Sequence, residues 1–148
     1  MVQVFIALAI VGTSLGAYVW WYMHESCDVS AVRSASDFLM IQLKRYDDVY
    51  MSAVSGTPTS LTYPVTVLQQ TLVDTQQVTM PACMRTTKRE LIGYMDTVIR
   101  AFQSYQTGQE DAVVRDLVSQ SDQHYADFRR ELKTVNECAP LCWSTFGE

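Results

Sequence analysis

The sequence predicts an all-α protein: an N-terminal single transmembrane helix followed by an up-down four-helix bundle with two disulfides. Three observations carry this expectation. The chain of 148 residues starts with an uncharged apolar run. Four later stretches repeat apolar side chains at helical spacing, with no sustained alternation of the kind a strand needs. Four cysteines flank those stretches, and the implied topology collects them at one end. The division expected is residues 1–25 as anchor and residues 26–148 as an extracytoplasmic bundle.

From Val4 to Met23 no side chain is charged. About 20 residues of helix rise ~30 Å, the thickness of a bilayer's hydrocarbon core. Tyr18, Trp20, Trp21 and Tyr22 gather at the far end of this run, where a membrane–water interface favours amphipathic rings. A cleaved signal peptide is the rival, but only Met1, Val2 and Gln3 precede the run and none is basic. Ala9, Gly12, Thr13, Gly16 and Ala17 share one helical face. Small residues let helix backbones approach closely in lipid, so this face is expected to pack on other transmembrane subunits.

The first bundle helix is expected from about Val29 to Val54, with Val32, Ala35, Leu39, Leu43, Tyr46, Tyr50 and Ala53 facing inward. Ser55-Gly56-Thr57-Pro58 ends it. The second starts near Tyr63, where Pro64 suits a first turn, and turns Val65, Leu68, Leu72 and Thr75 inward until Thr79. The third runs from about Pro81 to Thr107-Gly108 on the stripe Cys83, Thr87, Leu91, Tyr94, Val98, Phe102 and Tyr105. The fourth opens at Glu110-Asp111, acidic residues suited to the positive end of a helix dipole. Its inward set is Val114, Leu117, Val118, Ser121, Tyr125, Phe128, Leu132 and Val135, and Cys138 and Pro140 close it.

Short connections make successive helices antiparallel. Cys27, Cys83, Cys138 and Cys142 then meet at the base, beside the anchor. An even number of cysteines with no CxxC pair suits disulfides in an oxidising compartment. Three connectivities are open. Cys83–Cys138 with Cys27–Cys142 is the expected one, because it joins sequential antiparallel helices and ties the tail to the anchor junction. A four-cysteine zinc site competes, but such sites usually draw their ligands from CxxC knuckles. Trp143 and Phe146 in the tail lie at the same end, placed either to enter the interface or to cover the bundle's open base.

Composition excludes several functions. The net charge of −5 argues against nucleic acid as a partner. Of two histidines, His24 reads as a polar cap after the aromatic belt, and His124 as part of a solvated face with Asp122, Asp127 and Glu131. No histidine lies in the apolar run, no CxxCH is present and no Glu-x-x-His pair occurs, so no cofactor or metal is expected. A compact bundle offers little cleft, the tyrosines read as packing groups with a polar tip, and no enzyme activity is expected.

Pro81-x-Cys83 opening a helix, with Tyr94-Met95 and Phe102 beyond it, resembles small exported helical proteins of filamentous bacteria. The resemblance covers roughly half the chain, leaves out the anchor and implies export without implying an activity. The expected role is a non-catalytic, single-pass accessory subunit of a larger bacterial membrane complex, of respiratory or photosynthetic type, with its N-terminus in the cytoplasm and its bundle outside. Its partners would be the bilayer and other transmembrane subunits. The alternatives are a pilin-like filament protein, weakened by the missing prepilin motif, and a secreted helical module that binds a small ligand.

Overall fold

The computed structural model describes residues 27–138, and these form a helical bundle with no strand among them. The helices are α1 Val29–Val54, α2 Thr62–Gln77, α3 Arg85–Gln106 and α4 Asp111–Cys138. Short 3-10 turns at Pro58–Ser60 and Ala82–Met84 lead into α2 and α3. Among the described residues no helix is long and apolar enough to cross a membrane. The expected anchor, with its small-residue face (Ala9, Gly12, Thr13, Gly16, Ala17) and aromatic belt (Tyr18, Trp20, Trp21, Tyr22), lies outside the described residues. So do Cys142, Trp143 and Phe146.

Local chemistry sets the helix ends. Asp28 caps α1, its Oδ1 accepting the Ala31 N–H at 2.6 Å. That bond favours the ionised form and holds the Asp28 carboxyl below its ordinary range. The C-terminus of α2 is capped from another helix: Lys88 Nζ donates to the carbonyls of Gln76 at 2.7 Å and Val78 at 2.6 Å. Partial burial lowers the Lys88 pKa. Gly108 ends α3 at φ 67°, a left-handed conformation glycine adopts without strain. Gln109 N–H then reaches Ser104 O at 3.0 Å and Gly108 N–H reaches Tyr105 O at 3.2 Å. This pair of bonds satisfies carbonyls that the helix end would leave without partners.

The core runs from Val32, Leu39 and Tyr46 on α1 through Leu68 and Leu72 on α2 to Met84, Leu91 and Met95 at and within α3. Tyr46 and Phe128 are its largest fully buried side chains. Tyr46 Oη donates to the Met95 carbonyl at 2.7 Å, so the buried phenol has its partner. Burial pushes the Tyr46 pKa far up. Thr71 and Thr75 are buried on the inner face of α2 and donate back to Val67 O and Thr71 O, so neither hydroxyl is left unpaired.

α4 packs chiefly along α3. The two helices approach closely at Gly93, where an added Cβ would fall 2.7 Å from His124 Nδ1. His124 Nδ1 pairs with Glu90 Oε2 at 2.8 Å. The His124 side chain stays 41% exposed, as its acidic sequence neighbours imply, and also has a partner on the facing helix. It lies across a glycine of the facing helix and meets a carboxylate from α3. Towards α1, α4 makes sparser contact, including Ser36 Oγ to Asn136 Oδ1 at 3.0 Å.

The expected pairing of Cys83 with Cys138 is overturned. Cys27 and Cys83 form the disulfide, with Cα atoms 6.1 Å apart, and Cys138 has an exposed free thiol. Register explains the difference. With Gly93 beside His124 in an antiparallel pair, Cys83 falls level with Thr134. Cys138 overshoots it by a helical turn, about 6 Å. Cys27 and Cys83 instead stand at the starts of two helices that rise from the same end.

A candidate binding cleft

The bundle is open at its distal end. There the last turns of α1, the second half of α3 and the first half of α4 line a cleft of about 700 Å³. The cause lies in the helix pairing. α4 follows α3 closely and contacts α1 sparsely, so it leaves part of the apolar face of α1 uncovered. Met51 and Val54 of α1 stay 66% and 56% exposed at the rim, and Tyr105 of α3 and Val118 of α4 stay 46% and 45% exposed. Periodicity assigns Tyr105 and Val118 to the core. In the folded chain they are cleft wall.

Aromatic rings make up much of that wall. Tyr94 touches Tyr46 with ring centroids 5.7 Å apart and Tyr125 at 5.3 Å, and Tyr50 meets Phe102 at 5.8 Å. All three pairs are tilted, the arrangement ring quadrupoles favour. Tyr46 and Tyr94 are buried packing groups, as expected, whereas Tyr50, Tyr105 and Tyr125 remain partly or largely exposed to the cleft.

Two carboxylates enter the wall, Asp47 from α1 and Asp122 from α4. Tyr94 Oη donates to Asp47 Oδ1 at 3.3 Å. Burial raises the Asp47 pKa, outweighing the opposite effect of that hydrogen bond, and the neighbouring Asp48 adds to the rise. Tyr94 is pushed well up by burial first, and by the Asp47 charge second. No lysine or arginine lines the cleft. Further down the α1–α4 seam a second depression shares Asp47 and Tyr125 and is bordered by the exposed apolar side chains Met40 and Ile41. Arg129 marks its lower side.

No group of three or more histidine, cysteine or acidic side chains is arranged to hold a metal among the described residues. His124 pairs with Glu90 on the α3–α4 contact and is not part of the cleft wall. Of the residues singled out from sequence as sites, the structure brings together Cys27 and Cys83 and leaves Cys138 apart. The cleft itself corrects the expectation that the bundle has little room for one. Its sequence signal is the aspartate at 47, beside an otherwise apolar stripe, with five aromatic residues converging on it from three helices. No family model matches the chain, and no curated protein or solved structure is significantly similar to it.

Proposed function

We propose that this chain is a non-catalytic accessory protein of a bacterial membrane assembly. It is tethered by its N-terminal apolar segment, exposed on the extracytoplasmic side, and acts by binding through the distal cleft. The observation that carries the reading is the cleft: an aromatic-walled recess of about 700 Å³ with wet apolar residues at its rim. Recesses of this size and lining are typical of ligand sites, and exposed apolar groups beside one mark a place of contact. The Cys27–Cys83 disulfide supports an oxidising compartment. Tethering at the base leaves the opposite end, with its opening, turned outward.

The test is solubilisation of native membranes in mild detergent, followed by size analysis. The expected result is co-migration with a larger assembly that Met51→Glu and Tyr105→Glu both weaken. A monodisperse lone chain of 16.8 kDa, unchanged by either substitution, would contradict it. A released module using the same cleft is the second reading, favoured by the cleft's small-molecule dimensions. A mature protein that still begins at Met1 or Val2 excludes that version.

A further inference from the structure

The charge in the cleft wall is one-sided. Asp47 and Asp122 project from opposite walls, and the lining holds no cationic side chain to balance them. Asp47 is half-buried and its one hydrogen-bond partner among the described residues is the phenol of Tyr94. A phenol is a neutral donor and leaves the carboxylate's charge uncompensated. Lys44 and Arg129 border the neighbouring depression, which Asp47 also lines, but neither forms an ion pair with Asp47 among the described residues, and neither lines this cleft. Meanwhile the faces and edges of Tyr50, Phe102, Tyr105 and Tyr125 supply apolar area and ring quadrupoles whose negative faces attract cations.

We propose that the cleft takes a small organic cation with an apolar body, its ammonium held between Asp47 and Asp122 and its body against Tyr50, Phe102 and Tyr125. This deepens the binding role proposed above and rests on it. Each feature of the wall then has a use. The carboxylates gain a charge partner that no side chain lining this cleft supplies. The rings offer cation–π contact, which is stronger in a partly desolvated site than in open water. The rim residues Met51 and Val54 cover the ligand's apolar end. A neutral apolar ligand would offer neither carboxylate a compensating charge, and an anion would be repelled by them.

The experiment is calorimetric titration of the full chain in nonionic detergent with benzyltrimethylammonium, using 3-phenylpropionate and benzyl alcohol as the anionic and neutral comparators. The expected result is saturable binding of the cation, no measurable binding of the anion, and binding of the neutral probe at least tenfold weaker. Asp47→Asn should weaken the cation by about tenfold and the more exposed Asp122→Asn by roughly threefold. Asp116→Asn, on α4 outside the cleft, removes the same formal charge and should change nothing. Far-UV circular dichroism of each variant keeps a folding defect separate from a binding defect, and Asp122→Asn remains informative if Asp47→Asn fails to fold. Equal binding of all three probes, or cation binding indifferent to Asp122→Asn, overturns the ligand assignment while leaving a binding cleft in place. Absence of any probe binding also overturns it. If the size analysis then detects a partner that Met51→Glu weakens, the accessory role survives with a macromolecular occupant. If it detects none, both readings fall together.

Discussion

The two ends of the bundle are built on different terms. At the base, Cys27 is bonded to Cys83, Lys88 closes the last turn of α2, and Met84 and Phe128 are fully buried. At the distal end a cleft lies between α1, α3 and α4, and Met51, Val54, Tyr105 and Val118 stay wet. The same helices run through both regions, so composition alone does not account for the contrast. The difference lies in which pairs of helices meet. A chain that seals one end with a covalent bridge and a cross-helix cap can keep apolar surface open at the other without losing its fold. On the reading proposed above, the covalent bridge holds the base while the cleft at the tip does the binding.

That contrast can be broken from the base first. Cys27→Ser should cost about 4 kcal/mol, the chain-entropy value for opening a loop spanning a sequence separation of 56 residues. Urea unfolding should show wild-type protein in reductant falling to the level of the variant, with helicity retained in both. A variant as stable as oxidised wild type would show that the bridge does not hold the base. Leu91→Ala, at a fully buried position of α3, should cost ~3 kcal/mol. Met51→Ser, on the same bundle but at the wet rim, should stay within about 0.5 kcal/mol. Equal losses at the two positions would mean that the cleft is closed in solution.

Smaller effects sharpen the comparison. Lys88→Met removes a charged donor from two carbonyls and should cost ~1 kcal/mol, read as faster amide exchange in the last turn of α2. Asp47→Asn should go the other way. Because burial raises the folded-state pKa of Asp47, the native fold favours the protonated acid. Its ionisation therefore lowers stability as pH rises from the ordinary value of 3.8 through the raised one. Wild type should fall slightly below the Asn variant at neutral pH and converge with it below pH 3.8, as measured by thermal melts across that range. A variant less stable than wild type at neutral pH would show that the carboxylate is needed for the fold and not held in tension with it.

Much of the bundle was legible in the sequence because its determinants are local. The apolar stripe and the Ser55-Gly56 stop fixed α1 at Val29–Val54, and Gly108 fixed the end of α3. The cleft was not legible for a physical reason. Periodicity says which face of a helix is apolar and nothing about whether another helix arrives to cover it. Tyr105 and Val118 lie on the right stripes and lack the neighbour. The disulfide was missed for a related reason, since pairing depends on the axial offset between α3 and α4, which the approach of Gly93 to His124 marks and periodicity does not reveal. The solvated setting of His124 was legible, but its partner Glu90 was not, being 34 residues away on the facing helix.

The most direct test of the contrast between the two ends is site-specific photo-crosslinking of the full chain in native membranes. One probe replaces Met51 at the cleft rim, and the other replaces Gln69 on the exposed face of α2. An adduct from position 51 that excess benzyltrimethylammonium suppresses, with none from position 69, is the predicted result. Equal labelling at both positions, or labelling at 69 alone, would contradict a binding end set apart from a structural one.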